Sequence, residues 1–371
     1  MKVVCVVGAR PNFMKIAPIV AELRGFQDIE TILVHTGQHY DNAMSEIFFQ
    51  ELDIQKPDFN LGVGSGTHTE QTAQVMLALE PLFVNLCPDL ILVVGDVNST
   101  LAAALVATKL RIPLAHIEAG LRSYDREMPE EVNRVLTDAM ADYLFTTEPE
   151  AAQNLRREGI NDDRIFFVGN VMIDTLVRHR KQAESLNMPA RFNLTTDNYA
   201  LVTLHRPSNV DSPTMLHGLL AAINTIQLRI PVLFPVHPRT RRRIAEAGLQ
   251  QTVDAMANLR LVDPLGYLDF LGIMAGARLV LTDSGGIQEE TTILGVPCLT
   301  LRENTERPVT VTAGTNQIVG TNPERIVAAA MQAIETRIHE FRQPELWDGH
   351  AAERIVAIIR TLNPKRVRTH I

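Results

Sequence analysis

Three carboxylates in the first half of the chain sit where acid–base chemistry is usually placed. Asp96 lies in Gly95-Asp96-Val97-Asn98-Ser99-Thr100, after the apolar run 89–94. Glu118 lies in His116-Ile117-Glu118-Ala119-Gly120-Leu121-Arg122, at the end of the run 112–117. Glu130 follows in Pro129-Glu130-Glu131-Val132-Asn133-Arg134, close enough in sequence to reach the same place. Clustered carboxylates push each other's proton affinities apart, which supplies an acid and a base together. Each has a plainer reading. Asp96 can N-cap the next helix, and Glu131 can complement a helix dipole. Glu118 is the hardest to dismiss, because a carboxylate ending a buried strand needs a partner or a purpose.

The second half carries anion chemistry. Thr282-Asp283-Ser284-Gly285-Gly286-Ile287-Gln288-Glu289-Glu290 follows an apolar run and opens a helix. Ser284, Gly285 and Gly286 let backbone N–H groups approach a phosphate. Glu290, further along the helix, suits a ribose diol. Glycines for an anion plus an acid for a diol describe a nucleotide sugar better than inorganic phosphate. Arg307 is a candidate second phosphate ligand, with an exposed surface arginine as the alternative. Arg10 and Lys15, after the first run at Gly8-Ala9-Arg10-Pro11, can aim two cations at a helix N-terminus as a phosphate site, with two solvated cations on an ordinary strand-turn-helix as the equal alternative. His205 and His237 end two further runs; either can meet a phosphate as imidazolium or move a proton, with a structural histidine as the alternative at each.

Short apolar runs must carry these groups. The first set is 3–7, 31–35, 89–94, 112–117, 143–146 and 165–168, with helix candidates at 15–24, 68–86 and 98–110. A further set is 200–204, 231–236, 259–262, 278–282, 297–301 and 317–319. Runs this short and this rich in Val, Ile and Leu read as strands buried on both faces of a parallel sheet. The expectation is an α/β protein with two Rossmann-like parallel-sheet domains facing a central cleft. Domain bounds are expected at 1–178 and 179–353, with a polar linker in 180–198. The tail 354–371 is expected as a helix packing back on the first domain.

Composition narrows the function. Hydrophobic residues make up 46% and charged residues 21% of the chain, as in ordinary folded proteins. The net charge of −8 speaks against a nucleic-acid partner. The basic run Arg239-Thr240-Arg241-Arg242-Arg243 is expected on a solvated helix. No apolar stretch is long enough for a membrane span, and the brief N-terminal run reads as a first strand of a cytoplasmic protein. Cys5, Cys87 and Cys298 are far apart and make no metal spacing. No metal is expected. The GxGxxG fingerprint is absent after the first run, and Gly62-Val63-Gly64-Ser65-Gly66 opens no strand-to-helix turn, which disfavours a nicotinamide cofactor.

Together these motifs resemble the non-hydrolysing UDP-N-acetylglucosamine 2-epimerases. The landmarks are GARPNFMK at the start, TGQHYD at 36–41, GDVNST at 95–100, HIEAGLR at 116–122 and MPEEVNR at 128–134. LHRPSN at 204–209, LTDSGGIQEE at 281–290 and ENTERPVTVTAGTN at 303–316 complete the set. The resemblance implies a glycosyltransferase-B fold with an interdomain active site and no cofactor. It implies interconversion of UDP-GlcNAc and UDP-ManNAc by loss of the C2 proton, departure of UDP and re-addition, in a homodimeric enzyme supplying cell-surface polysaccharide. It assigns Asp96, Glu118 and Glu130 as catalytic carboxylates and His205 as the catalytic histidine. Arg10, Lys15, Ser284, Gly285, Gly286, Glu290 and Arg307 match UDP contacts, His237 is placed with them, and Phe270 lies near the uracil.

Departures from the family pattern point elsewhere in part. The His-Arg-x-Glu-Asn motif stands here as His205-Arg206-Pro207-Ser208-Asn209, without its Glu. The Gln38-His39-Tyr40-Asp41 segment lacks the Arg that commonly follows the His. No Lys or Arg lies between Lys56 and Lys109, so activation by a second substrate molecule is not implied. The TGQHYD, FFQEL and LRSYDREMPEE wording also resembles relatives acting on UDP-2,3-diacetamido-2,3-dideoxy-glucuronate. A glycosyltransferase of the same fold and a non-catalytic nucleotide-sugar sensor are the competing classes.

Overall fold

Strand residues with almost no exposed surface explain the architecture. Leu90–Val94 is fully buried, and Val3 through Val7 are nearly so. A strand with no wet face must be covered by helices on both sides, and that favours parallel pairing through helical crossovers. The computed structural model describes residues 1–37, 56–336 and 342–362, with the side chains of Arg10 and Pro11 excepted. It divides into two compact units, Met1–Arg178 with Glu345–Ile371, and His179–Pro344.

The first unit is built on β1 (Lys2–Val7), β2 (Glu30–His35), β3 (Phe59–Asn60), β4 (Leu90–Val94), β5 (Leu114–Ala119), β6 (Tyr143–Thr146) and β7 (Ile165–Phe167). All pairs are parallel, in the order β3-β2-β1-β4-β5-β6-β7. The order reverses between β1 and β4, and the carboxyl ends flanking that point are where such sheets bind ligands. The two-residue β3 was not expected from the sequence; it is too short to show a periodic pattern. The first helix begins at Arg10 rather than 15, because Pro11 starts it.

The other unit repeats the plan with β8 (Ala200–Thr203), β9 (Val232–Pro235), β10 (Leu259–Val262), β11 (Leu279–Thr282), β12 (Cys298–Thr300) and β13 (Asn316–Ile318). Its parallel order is β10-β9-β8-β11-β12-β13, with the reversal between β8 and β11. Each sheet therefore has its own switch point. The stretch 180–198 is folded rather than extended. The helix Val171–Ser185 runs into it, and a short helix Met188–Arg191 follows.

The chain returns to the first unit from Glu345. Trp347 is fully buried and donates its indole N–H to the Thr147 carbonyl at 2.9 Å. Asp174 accepts the N–H groups of Ala351 and Ala352 at 3.1 and 2.7 Å, so it caps the helix Ala351–Thr361 from 177 residues away. Burial pushes the Asp174 carboxyl up to about 6. Arg360 on that helix lies over the Phe26 ring, 4.1 Å from its centroid. Among the described residues, no helix is long and apolar enough to cross a membrane.

Candidate active site

At the first switch point, Glu118 is aimed by a break in its own strand. The β5–β6 register jumps between Ile117 and Ala119, leaving Glu118 as the extra residue. Its φ is +70°, in the left-handed region. Holding a non-glycine residue there costs about 1–3 kcal/mol, and such bulges re-aim side chains. The carboxylate is 3% exposed and pairs with the Lys15 ammonium at 2.5 Å. Lys15, one turn into the helix Arg10–Arg24, is itself buried. Gly95 fits beside this pair: its φ is +66°, and a Cβ there would lie 3.4 Å from Lys15 Nζ and 3.5 Å from Asn12 Nδ2. The sequence placed Lys15 among phosphate ligands; the structure places its charge on Glu118. The side chain of Arg10 and the segment Gln38–Asp41 lie outside the described residues, as does FFQEL.

Asp96 does not cap a helix. Val97 occupies the N-cap of Asn98–Lys109 and makes no side-chain cap bond. Asp96 instead pairs with the Arg134 guanidinium, and its carbonyl accepts the Asn133 amide at 2.9 Å. Glu131 has more than a dipole role. It is 2% exposed and accepts the N–H of Ser123 at 3.0 Å, the Ser123 hydroxyl at 2.9 Å, the N–H of Tyr124 at 2.9 Å and Arg134 Nη1 at 2.7 Å. It thus ties the loop after β5 to the helix Pro129–Met140. Glu130, its neighbour, is half-buried in the same first turn and bonds to neither Asp96 nor Glu118.

Behind these carboxylates runs a buried ionic chain the sequence did not announce. His116 is completely buried, with Nδ1 2.6 Å from Asp138 and Nε2 2.9 Å from the Gly95 carbonyl. A carboxylate and a carbonyl both accept, so each ring nitrogen of His116 faces an acceptor. Asp138 also accepts the Gly120 N–H at 3.0 Å and pairs with Arg122 at 2.7 Å. Burial works to raise the Asp138 carboxyl, and His116 with Arg122 overcomes it, holding it below the usual range. Asp138 thereby holds His116, Gly120 and Arg122 around Glu118, and reaches the Gly95 carbonyl beside Asp96 through the His116 ring.

The switch point of the other sheet has its own imidazole–carboxylate pair. Asp283, fully buried after β11, lies 2.9 Å from His205 Nδ1. It also accepts the backbone N–H groups of His205 and Arg206 at 3.0 and 2.9 Å, and the Asn209 amide at 3.2 Å. Burial raises its carboxyl, but the His205 ring and these N–H groups outweigh that and lower it. The His205 side chain is 42% exposed. His237 ends β9 and caps the helix Pro238–Glu246 by accepting the Arg239 N–H on Nδ1 at 3.2 Å. The two imidazole centroids are 6.2 Å apart.

Ser284 is the N-cap of the helix Gly285–Leu294. A Cβ on Gly285 would come within 2.7 Å of Arg307 Nη1 and 3.0 Å of Glu306 Oε1, so the glycine is needed for packing. Gly286 is half-buried in the same turn. Arg307 is no surface arginine. It is 5% exposed, pairs with Glu289 at 2.5 Å and lies 3.1 Å from Glu306. Glu290 is buried and accepts the Tyr267 hydroxyl at 3.0 Å, and Phe270 is half-buried on the same helix as Tyr267. Gln288 anchors the turn from below, accepting from Thr305 at 2.7 Å and Asn316 at 3.1 Å.

Asp283 could have been found from the sequence by the argument used for Glu118, a buried acid at a strand end. Asp138 carried no such signal, since its partner is 22 residues away. Among the described residues, no cluster of three His, Cys, Asp or Glu side chains is placed to hold a metal.

The family model described as UDP-N-acetylglucosamine 2-epimerase matches residues 21–360. The chain belongs to that family. It is 44% identical over 365 residues to the UDP-N-acetylglucosamine 2-epimerase of Methanocaldococcus jannaschii, covering 97% of this chain and 99% of that protein. It is also 40% identical over 366 residues to the UDP-2,3-diacetamido-2,3-dideoxy-D-glucuronate 2-epimerase of Pseudomonas aeruginosa, covering 98% and 100%. The crystal structure of the M. jannaschii enzyme in complex with UDP-GlcNAc and UDP superposes with a TM-score of 0.91 over 97% of this chain and 99% of that one. The Neisseria meningitidis enzyme bound to UDP-GlcNAc, 31% identical, gives 0.90 over 98% and 100%. Membership in this epimerase family makes the chain an isomerase.

Proposed function

We propose that this protein epimerises C2 of UDP-N-acetylglucosamine, giving UDP-N-acetylmannosamine without a cofactor. The observation that carries the reading is the family match along nearly the whole chain, together with buried acids at one switch point and an anion-type turn at the other. A C2 proton is weakly acidic, so its removal must be coupled to loss of a good leaving group. A carboxylate takes the proton, the C1–C2 double bond forms, and the C1–O bond breaks with its electron pair leaving on UDP. Re-addition of UDP with protonation on the other face completes the change, with no net oxidation.

In this reading Asp96 and Glu118 carry the proton work, with Glu130 as an alternative or an electrostatic partner. Ser284, Gly285, Gly286 and the helix dipole behind them hold the diphosphate. Arg10, Lys15, His237 and Arg307 add cationic or N–H contacts, Glu290 takes the ribose and Phe270 the uracil. His205 works on the departing diphosphate or on a proton. Lys15 serves first as the charge partner of the Glu118 carboxylate. The enzyme is further read as a cytoplasmic homodimer acting in polysaccharide precursor supply, without a nucleic-acid partner; light scattering tests the dimer.

Incubation with UDP-GlcNAc alone in D2O is the decisive test. Formation of UDP-ManNAc with deuterium at C2 and no acceptor present is expected. Folded protein that gives neither would overturn the reading, and sugar transfer only when an acceptor is added would favour a glycosyltransferase. The 40% identity to the P. aeruginosa enzyme supports one alternative reading, epimerisation of the diacetamido-glucuronate sugar. A substrate panel followed by proton NMR separates the two by which sugar turns over faster.

A further inference from the structure

We infer that the two strand-end histidines of the unit His179–Pro344 are locked in opposite tautomers, and that Asp283 is the positioning residue that makes His205 the reactive one. The inference rests on the epimerase reading and names which imidazole serves it. Asp283 is surrounded by donors: the backbone N–H groups of His205 and Arg206, the Asn209 amide and the His205 ring. A carboxylate so placed has nothing to donate, so Nδ1 of His205 must carry the proton. Nε2 is left as the working edge of a ring whose other edge is held. It is an acceptor when the ring is neutral and a donor when the ring is charged, with Asp283 as counter-charge in the charged state.

His237 is bonded the other way round. Its Nδ1 receives the Arg239 N–H at 3.2 Å. A nitrogen that accepts a hydrogen bond carries no proton, so the His237 proton sits on Nε2 and the ring is neutral while it caps its helix. Two imidazoles 6.2 Å apart thus differ in what they can do. His205 can cycle between neutral and charged without breaking a bond to the fold. His237 can take a second proton only by giving up the cap of the helix Pro238–Glu246. His205 is therefore the proton-transfer or charge-stabilising group, and His237 is a fixed N–H donor for a phosphate oxygen.

Nitrogen-15 NMR of the full-length protein labelled at histidine tests this, with and without added UDP. His205→Gln and His237→Gln each delete one ring pattern and so assign it. The expected result is a protonated Nδ1 and bare Nε2 for neutral His205, and the reverse for His237. The same tautomer in both rings, or a protonated Nε2 on neutral His205, would overturn the inference. Asp283→Asn is expected to scramble the His205 tautomer and lower kcat about 100-fold, with KM for UDP-GlcNAc changed by no more than a factor of a few. Unchanged kcat with a scrambled tautomer would also overturn it. Should Asp283→Asn fail to fold, because the carboxylate also holds two backbone N–H groups, the wild-type ring patterns decide alone. Absence of UDP-ManNAc formation by the wild-type enzyme would remove the epimerase reading, while the tautomer assignment is still read from the spectra.

Discussion

The His116–Asp138 and His205–Asp283 pairs, one in each unit, share a chemical makeup and differ in setting. Both join an imidazole Nδ1 to a fully buried aspartate near a sheet's switch point, at 2.6 and 2.9 Å. In the first, the ring is itself fully buried and Nε2 is bonded to the Gly95 carbonyl. Both ring nitrogens are engaged, so the pair is a clamp. In the other, the side chain is 42% exposed and only Nδ1 is held by the aspartate. On the proposed reading, the same chemical unit is structural when closed and functional when open. What separates them is whether the fold uses both ring nitrogens or only one.

Breaking the open pair should hurt activity most. His205→Gln is expected to lower kcat by about 100- to 10,000-fold, with the melting temperature nearly unchanged because the ring is half-exposed. C2 deuterium exchange and thermal unfolding of one sample check both halves, and a large loss of stability would erase the contrast.

Breaking the closed pair should hurt stability instead. Asp138→Ala strips the buried His116 Nδ1 of its acceptor and leaves the buried Arg122 guanidinium with Glu158 as its remaining acid partner. The change is expected to cost about 3–5 kcal/mol. Urea unfolding reads it. A midpoint equal to wild type would mean the chain of charges is not the clamp described.

A third carboxylate sharpens the comparison through pH. Asp138 and Asp283 have a cationic or imidazole partner and are lowered; Asp174 is held chiefly by two backbone N–H groups, and burial raises it to about 6. A lowered carboxyl adds stability that is present above its unfolded value, near 4, and is lost as pH falls further. A raised one does the reverse: its contribution is complete below about 4 and is lost as pH climbs towards 6. The Asp174 contribution amounts to about 3 kcal/mol on the rule of 1.4 kcal/mol per pH unit. Asp174→Asn should therefore flatten the stability profile between about pH 4 and 6 and leave the steeper acid limb intact. A profile that keeps its slope in that window would argue against the cap carrying it.

The smallest effect belongs to the exposed basic run. Arg241 pairs with Asp263 at 2.9 Å, both well exposed. Arg241→Ala should change stability by about 0–1 kcal/mol and leave turnover unchanged; a larger change would give that helix a role that neither imidazole pair shares.

How much was legible beforehand follows from the range of each interaction. Strand runs such as 259–262 and the helix 68–86 were readable because burial and period are local properties of neighbouring residues. The strand-end acids and the Ser284 turn were readable for the same reason. The Lys15–Glu118 pair spans 103 positions and was not, so Lys15 looked like a phosphate ligand alone. Glu131 was read as a dipole partner because most of its donors lie on a loop whose path the sequence does not state.

The amino-acid sequence by itself determined two parallel-sheet units, the family and the set of chemically capable side chains, because hydrophobic pattern and motif spacing are written along the chain. The tertiary structure alone decided which of those side chains are closed and which are open. That choice depends on donors and acceptors brought together from distant strands, through the bulge at Glu118 and the carboxylates of Asp138 and Asp283. Hydrogen bonding is satisfied in space, and the order of residues does not record it.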